Sequence, residues 1–170
     1  KEIQEIIESY EIEINKKLWK VKSTVDLCGH QIGQYRIHAG KAVPNIKIPY
    51  YERMKIDEEY AIETFPTTGK GRPIPSTSFA ECSHFMIDRP KTKGLSKTLL
   101  NEYNVLYNEF STLAFCKRWT PPQTNDTLLK QLVEKQIINS YPPLYDVKGS
   151  FVSQTEKSIL ITENGKIVLN

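Results

Sequence analysis

Three histidines and two glutamates are the residues of this chain whose types and surroundings could do chemistry. The histidines His30, His38 and His84 lie in the segments GHQIG, RIHAG and ECSH. A single histidine is more often structural than catalytic or ligating. Glu63 interrupts a mostly apolar run, and Glu156 lies beside the apolar run ILI. Because a carboxylate on an apolar strand must be paired, hydrogen-bonded or bound to a cation, these two glutamates strengthen the case for a site.

One imidazole with two carboxylates is a donor set that suits a divalent metal such as Mn, Co, Fe or Zn. The alternative is that Glu63 and Glu156 simply occupy solvent-facing strand positions. A structural zinc site, in an independent zinc- or RNA-binding domain, would instead use two Cys-x-His pairs, Cys28 with His30 and Cys82 with His84. One intervening residue is tight for two ligands of the same tetrahedral ion, which counts against that arrangement.

Other catalytic chemistries find little support in the sequence. The chain has no Gly-x-Ser-x-Gly elbow and no cysteine-protease signature. The segment TGKG at 68–71 is too short for a phosphate-binding loop. Nucleophilic catalysis and nucleotide binding are therefore not the functions that the motifs favour.

The composition is that of a globular protein with one compact domain: 170 residues, 39% hydrophobic, with a net charge of +3. We interpret the basic stretch at 89–97 as a solvated loop. Three unpaired cysteines favour a reducing compartment, so we expect a cytoplasmic protein, and neither a membrane-spanning run nor a signal peptide is evident. The chain starts at Lys1 inside a predicted helix, so we expect it to be a piece of something longer.

The elements that must position these residues run in the order β-rich, helical, β-rich. Apolar periodicity predicts helices that end near Tyr10, that run from a Ser96 cap to Ala114, and that cover 128–137. The predicted strands and extended segments lie at 11–14, 19–22, 46–51, 60–65, 151–154 and 158–162. The first two are expected to form an antiparallel hairpin with opposed Glu and Lys rows. A loop is predicted over 69–75, and Asn164-Gly165 is a hairpin-turn signal.

Five ordered motifs over nearly the whole chain resemble the type 2 methionine aminopeptidases. They are GHQIGQYRIHAG at 29–40, YAIETF at 60–65 followed by TGKG, ECSH at 81–84, TLAF at 112–115 and YPPL at 141–144. The resemblance implies an α+β fold, the C-terminal half of a pita-bread fold in which two related halves hold a dinuclear metal centre. Residues 1–85 and 142–170 would form this half, and residues 86–141 an inserted helical subdomain.

Position by position, the resemblance implies that His30, Glu63 and Glu156 bind two divalent metal ions, which Glu156 bridges. It implies that Glu63 also assists proton transfer and that His38 stabilises the scissile carbonyl. The side chains implied to contact the substrate are Ile37, His38, Phe65, His84, Ala114, Tyr141 and Leu144. The implied activity is removal of the initiator methionine from nascent polypeptides, with the ribosome as an expected neighbour and no role for a membrane.

Two departures from the family pattern affect these expectations. The family's two metal-binding aspartates and a further substrate-facing histidine belong to an N-terminal half that this chain lacks, so the chain alone is expected to be inactive. After the ligand position, the family shows FEHT where this chain has TEKS at 155–158, which places Lys157 beside Glu156. The alternative function is a non-catalytic pita-bread relative that binds protein or RNA. Because such relatives lose their ligands, retention of His30, Glu63 and Glu156 favours the enzyme.

Overall fold

The computed structural model describes residues 1–49, 52–76, 78, 80–87 and 92–170 of the chain. The chain divides into two compact units. The sheet unit comprises residues 1–74 and 144–170, and the helical unit comprises residues 75–143. The range predicted for an inserted subdomain, 86–141, falls inside that of the helical unit, and its boundaries stay a prediction. In the described part of the chain, no helix is long and apolar enough to cross a membrane.

Short strands and three α-helices make up the regular structure of the described residues. The helices are α1 (Glu2–Glu8), α2 (Lys97–Phe110) and α3 (Asp126–Glu134), with a 3₁₀ turn at Lys117–Trp119. The strands are β1 (Glu11–Ile14), β2 (Lys17–Lys20), β3 (Lys22–Ser23), β4 (Cys28–Ile32), β5 (Ala42–Pro44), β6 (Glu59–Thr64), β7 (Pro66–Thr67), β8 (Ile74–Pro75), β9 (His84–Met86), β10 (Phe115–Cys116), β11 (Asn139–Tyr141), β12 (Leu144–Tyr145), β13 (Thr155–Thr162) and β14 (Gly165–Val168). The fold is therefore α+β, as the sequence predicts.

A five-stranded antiparallel sheet is the centre of the sheet unit. Its strand order is β14-β13-β6-β4-β5. The central strand β6 carries Tyr60 and Ala61, which are almost completely buried, and β13 contributes the buried Ile159. Of the neighbouring strand pairs in this sheet, β6 and β13 are the farthest apart in sequence.

The first hairpin forms because its turn residues adopt left-handed backbone conformations. Ile14 pairs with Lys17, which leaves Asn15 and Lys16 as the two turn residues. Their φ angles are 54° and 62°. Positive φ at both central positions matches the twist that an antiparallel pair requires. The predicted pairing of opposite charges holds at one position, where Glu11 is opposite Lys20.

The carboxylate of Asp146 fixes the loop that contains the TGKG motif. It accepts hydrogen bonds from the backbone amides of Lys70 (3.0 Å) and Gly71 (2.9 Å) and from the Thr67 hydroxyl (2.9 Å). A Cβ atom at Gly69 would lie 2.4 Å from Asp146 Oδ2, so a glycine is needed at this position. Burial acts to raise the pKa of Asp146, but the hydrogen bonds outweigh it and hold the pKa below its ordinary value.

We predict that Asp146→Ala destabilises the sheet unit by about 2 kcal/mol at neutral pH, because several donors lose a charged acceptor. A pKa that is lower in the folded state contributes stability above the unfolded value, about 3.9, which is lost as the pH falls through the folded value. The difference between wild type and variant in urea unfolding should therefore narrow in acid. Glu13→Ala, which removes an exposed carboxylate, is the control. If wild type and variant differed by the same free energy of unfolding at neutral and at acidic pH, the prediction would be contradicted.

The helical unit has a core of its own, formed between its helices and its three-stranded sheet, β10-β9-β11. Ser96 caps α2 by accepting a hydrogen bond from the Leu99 amide at 3.3 Å. Asn125 caps α3 through the amides of Thr127 and Leu128. The buried core residues are Phe85, Ile87, Leu99, Tyr103, Leu106, Phe115, Leu129, Leu132 and Ile138. Both helix starts are thus fixed by side-chain caps of the kind that sequence reasoning looks for.

Several predicted boundaries differ from the structure. Helix α2 ends at Phe110, because Ser111 takes a φ of 50° and the chain then enters β10, so Ala114 lies outside the helix. Residues 151–154 form no strand, and only Val152 makes an isolated bridge, to Thr67. Residues 46–49 likewise form no strand, and residues 50 and 51 lie outside the described residues. The final turn is one residue earlier than predicted, because Gly165 already pairs with Thr162.

Candidate metal centre

The register of the sheet brings the three predicted ligands to one face. His30 on β4 is opposite Ala61 on β6, and Glu156 on β13 is opposite Glu63 on β6. Cross-strand partners share a face of the sheet, and so do residues two apart on one strand. His30, Glu63 and Glu156 therefore project from the same side. Lys157 is opposite Ile62 and lies on the other face, where its Nζ donates to the backbone oxygen of Asn170.

His30 and Glu63 are in direct contact. His30 Nε2 lies 3.0 Å from Glu63 Oε1, and only 12% and 16% of the two side chains is exposed. The hydrogen bond to Glu63 raises the pKa of His30, against the opposing effect of burial, and the backbones of Gln31 and Ile37 contribute further hydrogen bonds. The ring of His38 packs edge-on against that of His30, with centroids 4.4 Å apart. The structure thus brings Ile37, His38, His30 and Glu63 together.

Glu63 and Glu156 form a cross-strand pair of like charges. They are direct register partners in the β6–β13 ladder. Like charges at directly opposite positions of an antiparallel pair destabilise it, since their Cβ atoms are only about 5 Å apart. A cation between the two carboxylates would convert this repulsion into attraction. Glu156 is exposed, so its carboxylate is accessible to such an ion.

The donor chemistry of this face fits a divalent metal, although the side chains do not converge into a site. Among the described residues, no three His, Cys, Asp or Glu side chains are grouped so that they could hold an ion. His30 and Glu63 instead contact each other at 3.0 Å. One imidazole and two carboxylates on a common face would hold an ion such as Mn, Co, Fe or Zn if Glu63 turned toward Glu156. The alternative Cys₂His₂ zinc site gains no support, because no such group of side chains that includes Cys28 or Cys82 is found among the described residues.

A cavity of about 300 Å³ lies in the sheet unit, and its walls are of mixed character: Phe65 and Leu144 are apolar, whereas Asp146 and Gln154 are polar. Gln154 Nε2 lies 3.5 Å from Glu63 Oε2, so one residue of the cavity wall contacts a predicted ligand. Two of the residues predicted to contact substrate, Phe65 and Leu144, therefore line one space.

Of the other five predicted substrate contacts, Ile37 and His38 belong to the sheet unit, and His84, Ala114 and Tyr141 belong to the helical unit. His84 on β9 is the register partner of Tyr141 on β11 and of Cys116 on β10. Ala114 lies just before β10, and all three predicted contacts are exposed. The Ser83 hydroxyl lies 2.9 Å from His84 Nδ1. The seven predicted substrate residues are thus divided between the units, four in the sheet unit and three in the helical unit.

Sequence reasoning missed two residues next to the candidate ligands. Gln154 lies two residues before Glu156, a spacing that could have placed both on one face of a strand. Asn45 is 1% exposed, and its Nδ2 donates to the carbonyl oxygen of Glu63 at 3.0 Å. No local signal marks Asn45, because its partner is 18 residues away in the chain.

A search of solved structures identifies the class of fold. A thermophilic Arx1 aligns with 87% of this chain at a TM-score of 0.75, with 12% sequence identity and with 40% of its own chain covered. At this identity the likeness concerns the fold alone. The chain has the α+β architecture of a pita-bread protein.

Sequence comparison gives the family. The chain is 42% identical to methionine aminopeptidase 2A of Arabidopsis thaliana and 40% identical to methionine aminopeptidase 2 of Komagataella phaffii, each over 99% of its length. It belongs to the type 2 methionine aminopeptidase family. The alignments cover 38% and 39% of these two relatives, so the chain spans about two fifths of their length. No family model matches the chain.

Proposed function

We propose that this chain supplies part of the active site of a metal-dependent aminopeptidase, which removes the N-terminal methionine from newly made polypeptides. The observation that carries the proposal is the cross-strand pair of Glu63 and Glu156, with His30 in contact with Glu63. Two adjacent carboxylates of like charge on one face are unfavourable unless a cation lies between them. The names of the sequence relatives supply the class of reaction.

The chain's own side chains have the chemistry that amide hydrolysis needs. His30, Glu63 and Glu156 would help to hold two divalent ions, which would supply Lewis acidity for activating water and polarising an amide carbonyl. Glu63 would accept a proton from the nucleophile and deliver it to the leaving amine. His38, whose ring packs against His30, would donate a hydrogen bond to the carbonyl oxygen of the substrate. Glu156 would supply a second carboxylate to the metal site from its position opposite Glu63 in the β6–β13 ladder.

We propose that the cavity lined by Phe65 and Leu144 accepts the methionine side chain. A cavity of about 300 Å³ is large enough for an unbranched thioether, Phe65 and Leu144 would supply its apolar contacts, and its wall residue Gln154 contacts Glu63. Selection of methionine would then depend on shape and dispersion rather than charge. Contact of His84, Ala114 and Tyr141 with the substrate stays a prediction from the family resemblance.

We further propose that the remaining metal ligands belong to sequence that precedes this segment in a longer protein. This chain offers one imidazole and two carboxylates, fewer donors than two ions require. The relatives are more than twice as long as the segment that they share with this chain. The chain alone is therefore expected to be inactive.

The test is methionine release from a Met-Ala-Ser peptide with Mn²⁺, by this chain with and without its upstream sequence. We expect release only from the longer protein. Glu63→Gln should reduce it by at least about 100-fold, because the proton acceptor and a metal ligand are both lost. Glu59→Gln, on the same strand, should leave it nearly unchanged. Failure of the longer protein to release methionine with any divalent metal would contradict the proposal and favour a non-catalytic binding module.

A further inference from the structure

Asn45 is a buried polar residue that links the two strands on which His30 and Glu63 lie. Its side chain is 1% exposed. Asn45 Nδ2 donates one hydrogen bond to the carbonyl oxygen of Leu27 and one to that of Glu63, each at 3.0 Å. Leu27 immediately precedes β4, and Glu63 lies near the end of β6. Both protons of the amide are thus used to join the backbones of two neighbouring strands.

The two strands need this link because their regular pairing stops short of Glu63. The β4–β6 ladder pairs Ile32, Gln31 and His30 with residues of β6 and extends no further than Ala61. Beyond that pair, the two backbones still lie close together at Gly29, where an added Cβ would lie 2.3 Å from the Ala61 carbonyl oxygen and 2.9 Å from the Glu63 nitrogen. The Glu63 carbonyl receives its hydrogen bond from a side chain, and Asn45 supplies the donor.

We infer that Asn45 is a positioning residue, which sets the separation of β4 and β6 and thereby holds the carboxylate of Glu63 within reach of His30. This inference rests on the proposed function, in which His30 and Glu63 are metal ligands. Asn45 itself acts through the backbone and touches neither substrate nor metal. Its Oδ1 has no hydrogen-bond partner in the part of the chain that the structure describes, so the two donated bonds determine how the amide is oriented.

A purely structural role for Asn45 would affect stability, whereas a positioning role must also change the environment of the His30 ring. The contact between His30 Nε2 and Glu63 Oε1 is 3.0 Å, a distance that a small movement of β6 would break. The chain contains three histidines, and the ring nitrogens of each can be followed by NMR after ¹⁵N labelling. His84 lies in the other unit and serves as an internal reference.

The experiment compares the His30 ring resonances in the wild-type chain, in Glu63→Ala and in Asn45→Ala, at one neutral pH. Glu63→Ala defines the resonance positions when the contact is lost. We expect Asn45→Ala to move the His30 ring nitrogens at least halfway toward those positions while the His84 signals stay in place. If Asn45→Ala does not fold, Asn45→Ser replaces it, because a serine hydroxyl is too short and has too few protons to bridge both carbonyls.

The control is Thr67→Val, a nearly isosteric change that removes a buried hydrogen bond to Asp146 in the same unit. It should lower the melting temperature without moving the His30 signals. His30 signals that stay at their wild-type positions in the Asn45 variants would overturn the inference. Signals that move equally in Thr67→Val, or that do not respond to Glu63→Ala, would overturn it as well. Failure of the proposed function would appear separately, as no methionine release from the wild-type longer protein.

Discussion

Gly29→Ala should lower the free energy of unfolding of the sheet unit by about 3 kcal/mol and separate His30 from Glu63. The new Cβ would lie 2.3 Å from the carbonyl oxygen of Ala61 and 2.9 Å from the Glu63 nitrogen. Both are backbone atoms of a central strand, so no side-chain rotation can relieve the clash. Strands β4 and β6 must therefore move apart. Chemical denaturation measures the loss of stability, and the His30 ring signals report the separation.

Gly33→Ala is the matched control for this substitution. Its added Cβ would come no closer than 3.1 Å, to the Ala39 methyl group, which can shift slightly. We expect a clearly smaller loss of stability and unchanged His30 signals. Equal losses for the two variants would show that the close approach of β4 to β6 is not the cause, and would contradict the prediction.

Phe115→Ala should destabilise the helical unit by about 4 kcal/mol, because it creates a cavity at the centre of that unit's core. Phe115 is completely buried. Its ring stacks on Phe110 at a centroid distance of 4.5 Å and lies 5.9 Å from the ring of Phe85. These neighbours come from α2 and β9, so the cavity would open between a helix and a strand, where collapse is restricted. Unfolding followed by circular dichroism measures the effect.

Leu113→Ala, two residues earlier, provides the comparison. Leu113 is 64% exposed although it continues the apolar spacing of α2. Its removal should change the free energy of unfolding by no more than about 0.5 kcal/mol. A large loss at Leu113 together with a small loss at Phe115 would mean that the core of the helical unit is not organised as described.

The parts of the fold that were predictable from the sequence are those fixed by local chemistry. The Ser96 cap starts α2 where the periodicity begins, and its hydroxyl accepts the Leu99 amide. The first hairpin follows from alternating apolar residues around a turn that contains Asn15. In both cases the determining contacts are only a few residues apart, so a short window of sequence contains the necessary information.

The end of α2 was not predictable, because contacts distant in sequence decide it. Leu113 and Ala114 fit the helical spacing, yet the chain leaves the helix at Ser111 so that Phe115 can pair with Phe85 and enter the core. Burial of a phenylalanine outweighs the continuation of an amphipathic helix whose next apolar residue would be exposed. Propensity and periodicity do not show which of these two arrangements has the lower free energy.

The candidate site was only partly accessible from residue types. They suggested one imidazole with Glu63 and Glu156 as a possible metal-binding set, the family motifs singled out His30, and the strand register places the three residues on one face. Their role as ligands stays a prediction. Asn45 could not have been found, because both of its partners are backbone carbonyls 18 residues away, and backbone atoms leave no trace in the identity of a side chain.

The way in which the sequence is divided between the two units affects the order in which the chain folds. The helical unit is continuous in sequence, whereas the central sheet needs β13 beside β6, and Thr64 and Thr155, which meet there, are 91 residues apart. During synthesis the helical unit can therefore fold as soon as it leaves the ribosome. At that stage β13 has not yet been made, so the edge of β6 that pairs with it has no hydrogen-bonding partner. Closing so long a loop is entropically costly and slow, and an unpaired strand edge invites association with other chains. Early folding of the helical unit would make the segment between the two parts of the sheet compact. It would thereby shorten the time during which one edge of β6 is unpaired.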